Sequence, residues 1–158
     1  MTTSRQRQEL GLLLFVAKRA LEQRAFDAVA AAGITDITLA QARIAARIAP
    51  DGSRVSDLAE QGRVTKQSAA ALVEQLEKAE YVERVPDPTD GRARLVRLTP
   101  RLQRVAEVAD AEVARVVAEW ADHVGEDRLH QLHEILRDLR GVTDPWGHGS
   151  VPPPLDRR

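Results

Sequence analysis

The sequence predicts a mainly α fold with one small β-hairpin, and three observations carry that prediction. Apolar residues recur at helical spacing over most of the chain. Residue types suited to helix N-caps, Thr38, Ser56, Thr65 and Thr99, stand just before four of those stretches. The period changes only over residues 81–98, where two short β-branched runs flank Asp87-Pro88-Thr89-Asp90-Gly91.

The first helix is expected over 7–31, with Leu10, Leu13, Leu14, Ala17, Leu21, Ala25 and Ala28 on its apolar face and Gly33 ending it. Thr38 with Gln41 three residues on is a capping box, opening a short helix to Ile48. Pro50-Asp51-Gly52 is a turn. Ser56 is expected to cap a third helix to Gln61, and Thr65 a fourth over 66–79. Runs 81–85 and 94–98 pair as the hairpin across the Asp87–Gly91 loop. Thr99-Pro100 reads as an N-cap followed by an N1 proline, so a long helix begins there. Gly125 breaks it, and a last helix carries Leu129, Leu132, Leu136 and Leu139. The Pro- and Gly-rich stretch 142–158 is expected to be a flexible tail.

Composition narrows the function classes. The 158 residues include no cysteine, which excludes disulfides, thiolate metal sites and thiol redox sensing. Apolar and charged fractions of 43% and 30% suit a globular chain, and 3% aromatics are too few for a surface that stacks single-stranded bases. Net charge is −1, so any binding to DNA must come from local clustering. The longest apolar run, Leu10 to Ala17, is far short of the roughly 20 residues of a membrane span. Charged residues between it and Ala28-Val29-Ala30 exclude a signal peptide, so a cytoplasmic protein is expected.

A short helix, a tight turn, a second helix capped by Thr65 and then a hairpin is the order of a winged helix-turn-helix. The second helix would turn Ala69, Leu72, Val73 and Leu76 inward and present Thr65, Lys66, Gln67 and Ser68 outward. Those are polar side chains of the kind that meet base edges and phosphate at a helix N-terminus. An ordinary capped surface helix begins the same way. The hairpin weighs against that reading: from Arg84 to Arg104 six arginines (84, 92, 94, 97, 101, 104) stand against Asp87 and Asp90, a local excess of +4. Arg92 and Arg94, at or beside the tip, suit entry into a narrow minor groove.

In order along the chain, Asp57-Leu58-Ala59-Glu60, Val64-Thr65-Lys66-Gln67-Ser68, Leu76-Glu77-Lys78, Val82-Glu83-Arg84, Asp87-Pro88-Thr89-Asp90-Gly91-Arg92-Ala93-Arg94 and Leu98-Thr99-Pro100 resemble the MarR family of bacterial transcriptional regulators. Thr38-Leu39-Ala40-Gln41 is similar to the stretch opening that family's second helix, and the resemblance spans roughly residues 35 to 102. It implies a homodimeric DNA-binding regulator, more often a repressor, tuned by small phenolic or anionic ligands. It also implies that Arg92 enters the minor groove with Asp90 holding its guanidinium. The chain departs from the family pattern at Ala70 and Ala71, where a small polar residue and an arginine are usual. Glu80 replaces the glycine that ends the recognition helix, which would cost about 1 kcal/mol if the left-handed conformation is kept. Gly62-Arg63 replaces an apolar residue followed by glycine.

The expected domains are therefore a winged helix-turn-helix over 35–100 and a dimerisation region made of 1–34 and 101–141, whose apolar stripes one subunit can hardly cover. For a ligand, Arg19 or Arg24 would neutralise an anion and Phe15 or Phe26 would pack on a ring. His123, His130 and His133 cluster near the last helix, but exposed helix histidines explain them, and no metal or other cofactor is expected. Nor is catalysis: there is no cysteine nucleophile, Gly-rich phosphate loop or isolated carboxylate pair. The alternative function is a winged-helix module that binds protein rather than DNA, which the uncharged Ala70-Ala71 patch suits.

Overall fold

In the computed structural model, which describes residues 4–144, the elements run α1 (Ser4–Ala31), α2 (Leu39–Ala45), α3 (Val55–Gly62), α4 (Lys66–Lys78), β1 (Val82–Asp87), β2 (Asp90–Leu98), α5 (Pro100–Val124) and α6 (Glu126–Thr143). The expected tail lies outside the described residues except for 142–144, where Val142 and Thr143 still belong to α6. No helix among the described residues is long and apolar enough to cross a membrane. The described residues form two units: one holds 36–104 with 133–144, the other 4–35 with 105–132.

The first unit contains α2, α3, α4 and the hairpin. The Thr38 capping box forms in full: Thr38 Oγ1 accepts the Gln41 N–H, and Gln41 Oε1 accepts the Thr38 N–H. The same Gln41 amide donates to Gln75 Oε1 at 2.9 Å, tying α2 to α4. α2 ends at Ala45, three residues short of the expected Ile48. Leu58, Ala69, Val73, Leu76 and Val96 are fully buried together with Tyr81 and Val82, so the core runs from α3 through α4 into the hairpin. Leu72 is only half-buried, at the edge of the inward face.

Two helix ends use a left-handed residue that is not glycine. At the end of α4 the Glu80 N–H bonds to Glu77 O and the Tyr81 N–H to Leu76 O, with Glu80 at φ 60. That is a Schellman motif with its glycine missing. Thr99 explains how the conformation is held: its hydroxyl donates to the carbonyl oxygens of Glu80 and Tyr81. Thr99 also accepts the Gln103 N–H through its carbonyl, and Pro100 begins α5 as expected. Replacing Glu80 with Gly should raise stability by about 0.5–1 kcal/mol, read as a higher denaturant midpoint at unchanged slope. A lower midpoint would show that the Glu80 side chain contributes more than its backbone strain costs.

At the end of α3 the left-handed residue is Arg63, φ 50. The glycine has moved one place back, because a Cβ on Gly62 would come within 3.2 Å of Ile44 Cδ1. Close approach of α3 to α2 thus takes the glycine, and Arg63 accepts the strained backbone.

The start of α3 corrects one expectation. The N-cap is Arg54, which makes no side-chain cap bond, and Ser56 lies inside the helix with its hydroxyl donating to Asp57 Oδ1. Just before it, Ser53 exchanges both backbone bonds with Val96, at 3.0 and 2.8 Å, so the chain entering α3 pairs with the hairpin.

In the second unit, Val29, Val105 and Val116 are buried, and Gly33 (φ 84) and Gly125 (φ 93) end α1 and α5 as expected. Leu10 and the consecutive Leu12, Leu13, Leu14, Phe15 and Val16 of α1 are all exposed, too many for one amphipathic face turned to a core. On α6, which buries no residue, Leu132, Ile135, Leu136, Leu139 and Val142 are exposed.

Candidate nucleic-acid interface

The N-terminal turn of α4 is built as expected. Thr65 is the N-cap, its Oγ1 accepting the Ser68 N–H at 3.0 Å, and Thr65, Lys66, Gln67 and Ser68 are all exposed. The two hydroxyls face each other at 2.8 Å, so part of the bonding capacity of Thr65 and Ser68 is spent within the helix. Lys66 and Gln67 have no side-chain partner among the described residues, which leaves a free cation and a free amide on a helix N-terminus. Ala70 is half-buried and Ala71 exposed. Farther along, Glu74 and Lys78 pair at 2.9 Å, which lowers the Glu74 pKa and cancels charge at that end.

The hairpin differs from expectation at its tip. Only Pro88 and Thr89 form the turn, because Asp87 Oδ1 accepts both the backbone N–H (2.8 Å) and the hydroxyl (2.7 Å) of Thr89. The Asp90-Gly91 dipeptide is not the turn: Gly91 lacks the positive φ that such a turn requires. The ladder pairs Pro86 with Arg94 and then Asp87 with Asp90, so Gly91, Arg92 and Ala93 bulge out of β2. Arg92 thus stands on a bulge beside the tip, exposed.

Asp90 does not hold the Arg92 guanidinium, the arrangement that the family resemblance implied. Its Oδ1 accepts the Arg92 backbone N–H at 3.1 Å, shaping the bulge, and its Oδ2 lies 3.7 Å from Arg54 Nη2. The guanidiniums of Arg92 and Arg94 have no partner among the described residues, nor do those of Arg97 and Arg104. Of the six arginines in this stretch the other two are structural. Arg84 pairs with Glu77, and Arg101 bonds to Asp36 Oδ2 and the Ala79 carbonyl while lying 4.5 Å over the Tyr81 ring. Tyr81, almost wholly buried, donates to Asp36 Oδ1, which holds the Asp36 carboxyl below the usual range, while burial raises the phenol. This cluster locks the end of α4 to the root of the hairpin.

Sequence reasoning missed Arg54 and Asp87. Arg54 Nε and Nη2 reach Asp87 Oδ2 at 3.0 and 2.6 Å. The bonds from Thr89 first, and then those from Arg54, bring Asp87 down to about 2, so it is ionised at any pH compatible with DNA binding. The pairing spans 33 residues, and no local pattern announces it.

In the other unit, Arg24, Asp27, Ala28, Ala31, Val108, Ala111, Glu112 and Arg115 line an open cleft of about 740 Å³. Arg24 is engaged there by Glu112 and Glu119, at 2.5 Å to each, which raises its pKa further and leaves no free cation at that position for an anion. Phe15 and Arg19 do not line the cleft; they lie against each other on α1 at 5.8 Å. His123, His130 and His133 are exposed.

Residues 35–93 match the model of the MarR family, whose members are transcription regulators rather than enzymes. Among curated proteins, the chain is 32% identical over 99 residues to a transcriptional activatory protein, BadR, of Rhodopseudomonas palustris. The match takes in 60% of this chain and 57% of that protein, so this chain spans little more than half of its relative. Among solved structures, a MarR family protein from Bacillus stearothermophilus superposes with a TM-score of 0.68 at 20% identity, over 90% of this chain and 98% of the other. CouR from Rhodococcus jostii RHA1, bound to p-coumaroyl-CoA, gives 0.64 at 19% identity, over 86% and 92%. These likenesses show the winged-helix fold with its helical flanks.

Proposed function

We propose that this chain, which carries the MarR-family winged helix-turn-helix in residues 35–93, is a cytoplasmic transcription regulator that binds duplex operator DNA as a homodimer. One observation carries the reading above all: Lys66 and Gln67 on a capped helix N-terminus, joined in one unit with a hairpin that projects Arg92 and Arg94, all four side chains without a partner among the described residues. In it residues 35–100 read DNA, while 1–34 and 101–141 associate with a second copy. Gln67 matches the paired donor and acceptor of an adenine edge, Lys66 a phosphate, and Thr65 and Ser68 lie where backbone and base edges meet. Arg92 and Arg94 suit the electronegative minor groove alongside. A dimer covering a promoter excludes polymerase, so the proposed sense is repression. A reporter driven by the bound promoter, with and without the protein, tests that sense directly.

A small phenolic or anionic effector remains part of the proposal, supported by the coumaroyl thioester in CouR. Phe15 and Arg19 are its proposed contacts, because Arg24 is already neutralised by two carboxylates.

The experiment that tests DNA binding is a mobility shift with the DNA flanking the protein's own gene, repeated over a range of salt. Each phosphate neutralised contributes about 0.9 to the slope of log affinity against log salt, and with several free cations per subunit a magnitude of about 5 or more is expected. No retained fragment, or a flat salt dependence, would point instead to the protein-binding module that the uncharged Ala70-Ala71 surface suits.

A further inference from the structure

We infer that Arg54 is a positioning residue for the wing: it fixes where Arg92 meets DNA without touching DNA itself. The inference rests on the DNA-binding reading above and adds to it a residue from outside the hairpin. A two-stranded ribbon is marginal in water and has no third strand to set the direction of its tip. In this chain the dipeptide Ser53-Arg54 supplies that constraint at two points. Ser53 pairs with Val96 near the root, and Arg54 reaches the far end, where both of its bonds go to Asp87 at the edge of the Pro88-Thr89 turn. Asp87 is 6% exposed and its other oxygen is filled by Thr89, so the Arg54 bonds complete a satisfied carboxylate.

The consequence reaches Arg92 through the turn. Asp90, whose Oδ2 lies 3.7 Å from Arg54 Nη2, also accepts the Arg92 backbone N–H and so defines the bulge on which Arg92 stands. A chain of three contacts therefore runs from the first residue before α3 to the groove-entering arginine: Arg54 to Asp87, Asp87 to the turn, Asp90 to the Arg92 backbone. Arg54 is the N-cap of α3 but makes no capping bond, so its side chain is given wholly to the wing. Its charge is spent on Asp87, unlike those of Arg92 and Arg94, which have no partner among the described residues. An arginine so paired is suited to holding the wing rather than to binding phosphate.

A double-mutant cycle on the full chain separates positioning from direct contact. Arg54→Ala, Arg92→Ala and the double variant are titrated with an operator duplex that the wild type retains, after each variant is shown to melt as the wild type does. Arg54→Gln, which keeps the stem and an amide donor, runs in parallel in case the alanine variant does not fold. Arg54→Ala should weaken binding about three- to tenfold, and the double variant should bind no more weakly than Arg92→Ala alone. Hydroxyl-radical footprints of Arg54→Ala should lose protection only in the minor groove at the flanks of the site, keeping the protection given by α4. Unchanged affinity in Arg54→Ala overturns the inference, as do effects of the two substitutions that multiply, which would make Arg54 a separate DNA contact. If the wild type retains no duplex at all, the DNA-binding reading falls and takes this inference with it.

Discussion

Replacing Leu132 and Leu136 with Asp in one variant is expected to abolish operator binding with every proposed DNA-contacting residue intact. In a single subunit these leucines are 43% and 42% exposed, and their helix α6 buries no residue at all. Ile135, Leu139 and Val142 extend the same uncovered apolar surface, and Leu10 through Val16 form another on α1. Isolated exposed apolar side chains are ordinary, but runs of this length mark an association surface. In the proposed homodimer, two recognition helices must be held about 34 Å apart to meet successive major grooves, and subunit association through these faces would supply that spacing. Each leucine covered by a partner contributes about 1.5–3 kcal/mol, whereas an unpaired carboxylate buried there costs several kcal/mol. Sedimentation should show a wild-type dimer at micromolar concentration and a monomeric variant, with helical circular dichroism distinguishing dissociation from unfolding. A monomeric wild type would sink the dimer; a dimeric variant of full affinity would show that α6 associates through another face.

What the sequence made legible was local. Caps and stops depend on residues three or four apart, and Thr38, Thr65, Gly33 and Gly125 all sit where the pattern placed them. The exposed turn of α4 was readable for the same reason, because helical spacing assigns its inner and outer faces. The misplacements came where a distant partner overrode a local preference. Ser56 is the better N-cap by residue type, yet the N-cap is Arg54 and the helix begins at Val55, beside the Ser53 pairing with Val96. Asp90-Gly91 is the better turn dipeptide, yet Asp87 captures Thr89 and moves the turn to Pro88-Thr89. Tyr81, Asp36 and Arg101 meet across separations of 45 and 65 residues, and Arg24 meets Glu112 across 88. Periodicity is silent at such distances. It identified the arginines of the hairpin as a group but could not say that Arg84 and Arg101 were already committed to Glu77 and Asp36.

Arg92→Ala is expected to weaken operator binding by about 1–3 kcal/mol, the range for losing one specific groove contact. Arg92 is exposed on the bulge of β2, with a guanidinium that has no partner among the described residues, so none of them competes with DNA for it. Its removal should therefore change affinity while leaving the melting temperature near that of the wild type, since surface substitutions free of such contacts stay within about 0.5 kcal/mol. Asp90→Ala should act in the same direction but less. Asp90 accepts the Arg92 backbone N–H and approaches Arg54 rather than the Arg92 guanidinium, and without the backbone bond the bulge can still present the arginine from a wider range of positions. The ordering follows from the geometry: if Asp90 held the guanidinium itself, the two substitutions would weaken binding nearly alike. Fluorescence anisotropy on one duplex, at one salt concentration, gives all three affinities. Wild-type affinity in Arg92→Ala would remove the wing from the DNA interface. An Asp90→Ala defect as large as that of Arg92→Ala would mean that the carboxylate turns to the guanidinium when DNA is bound.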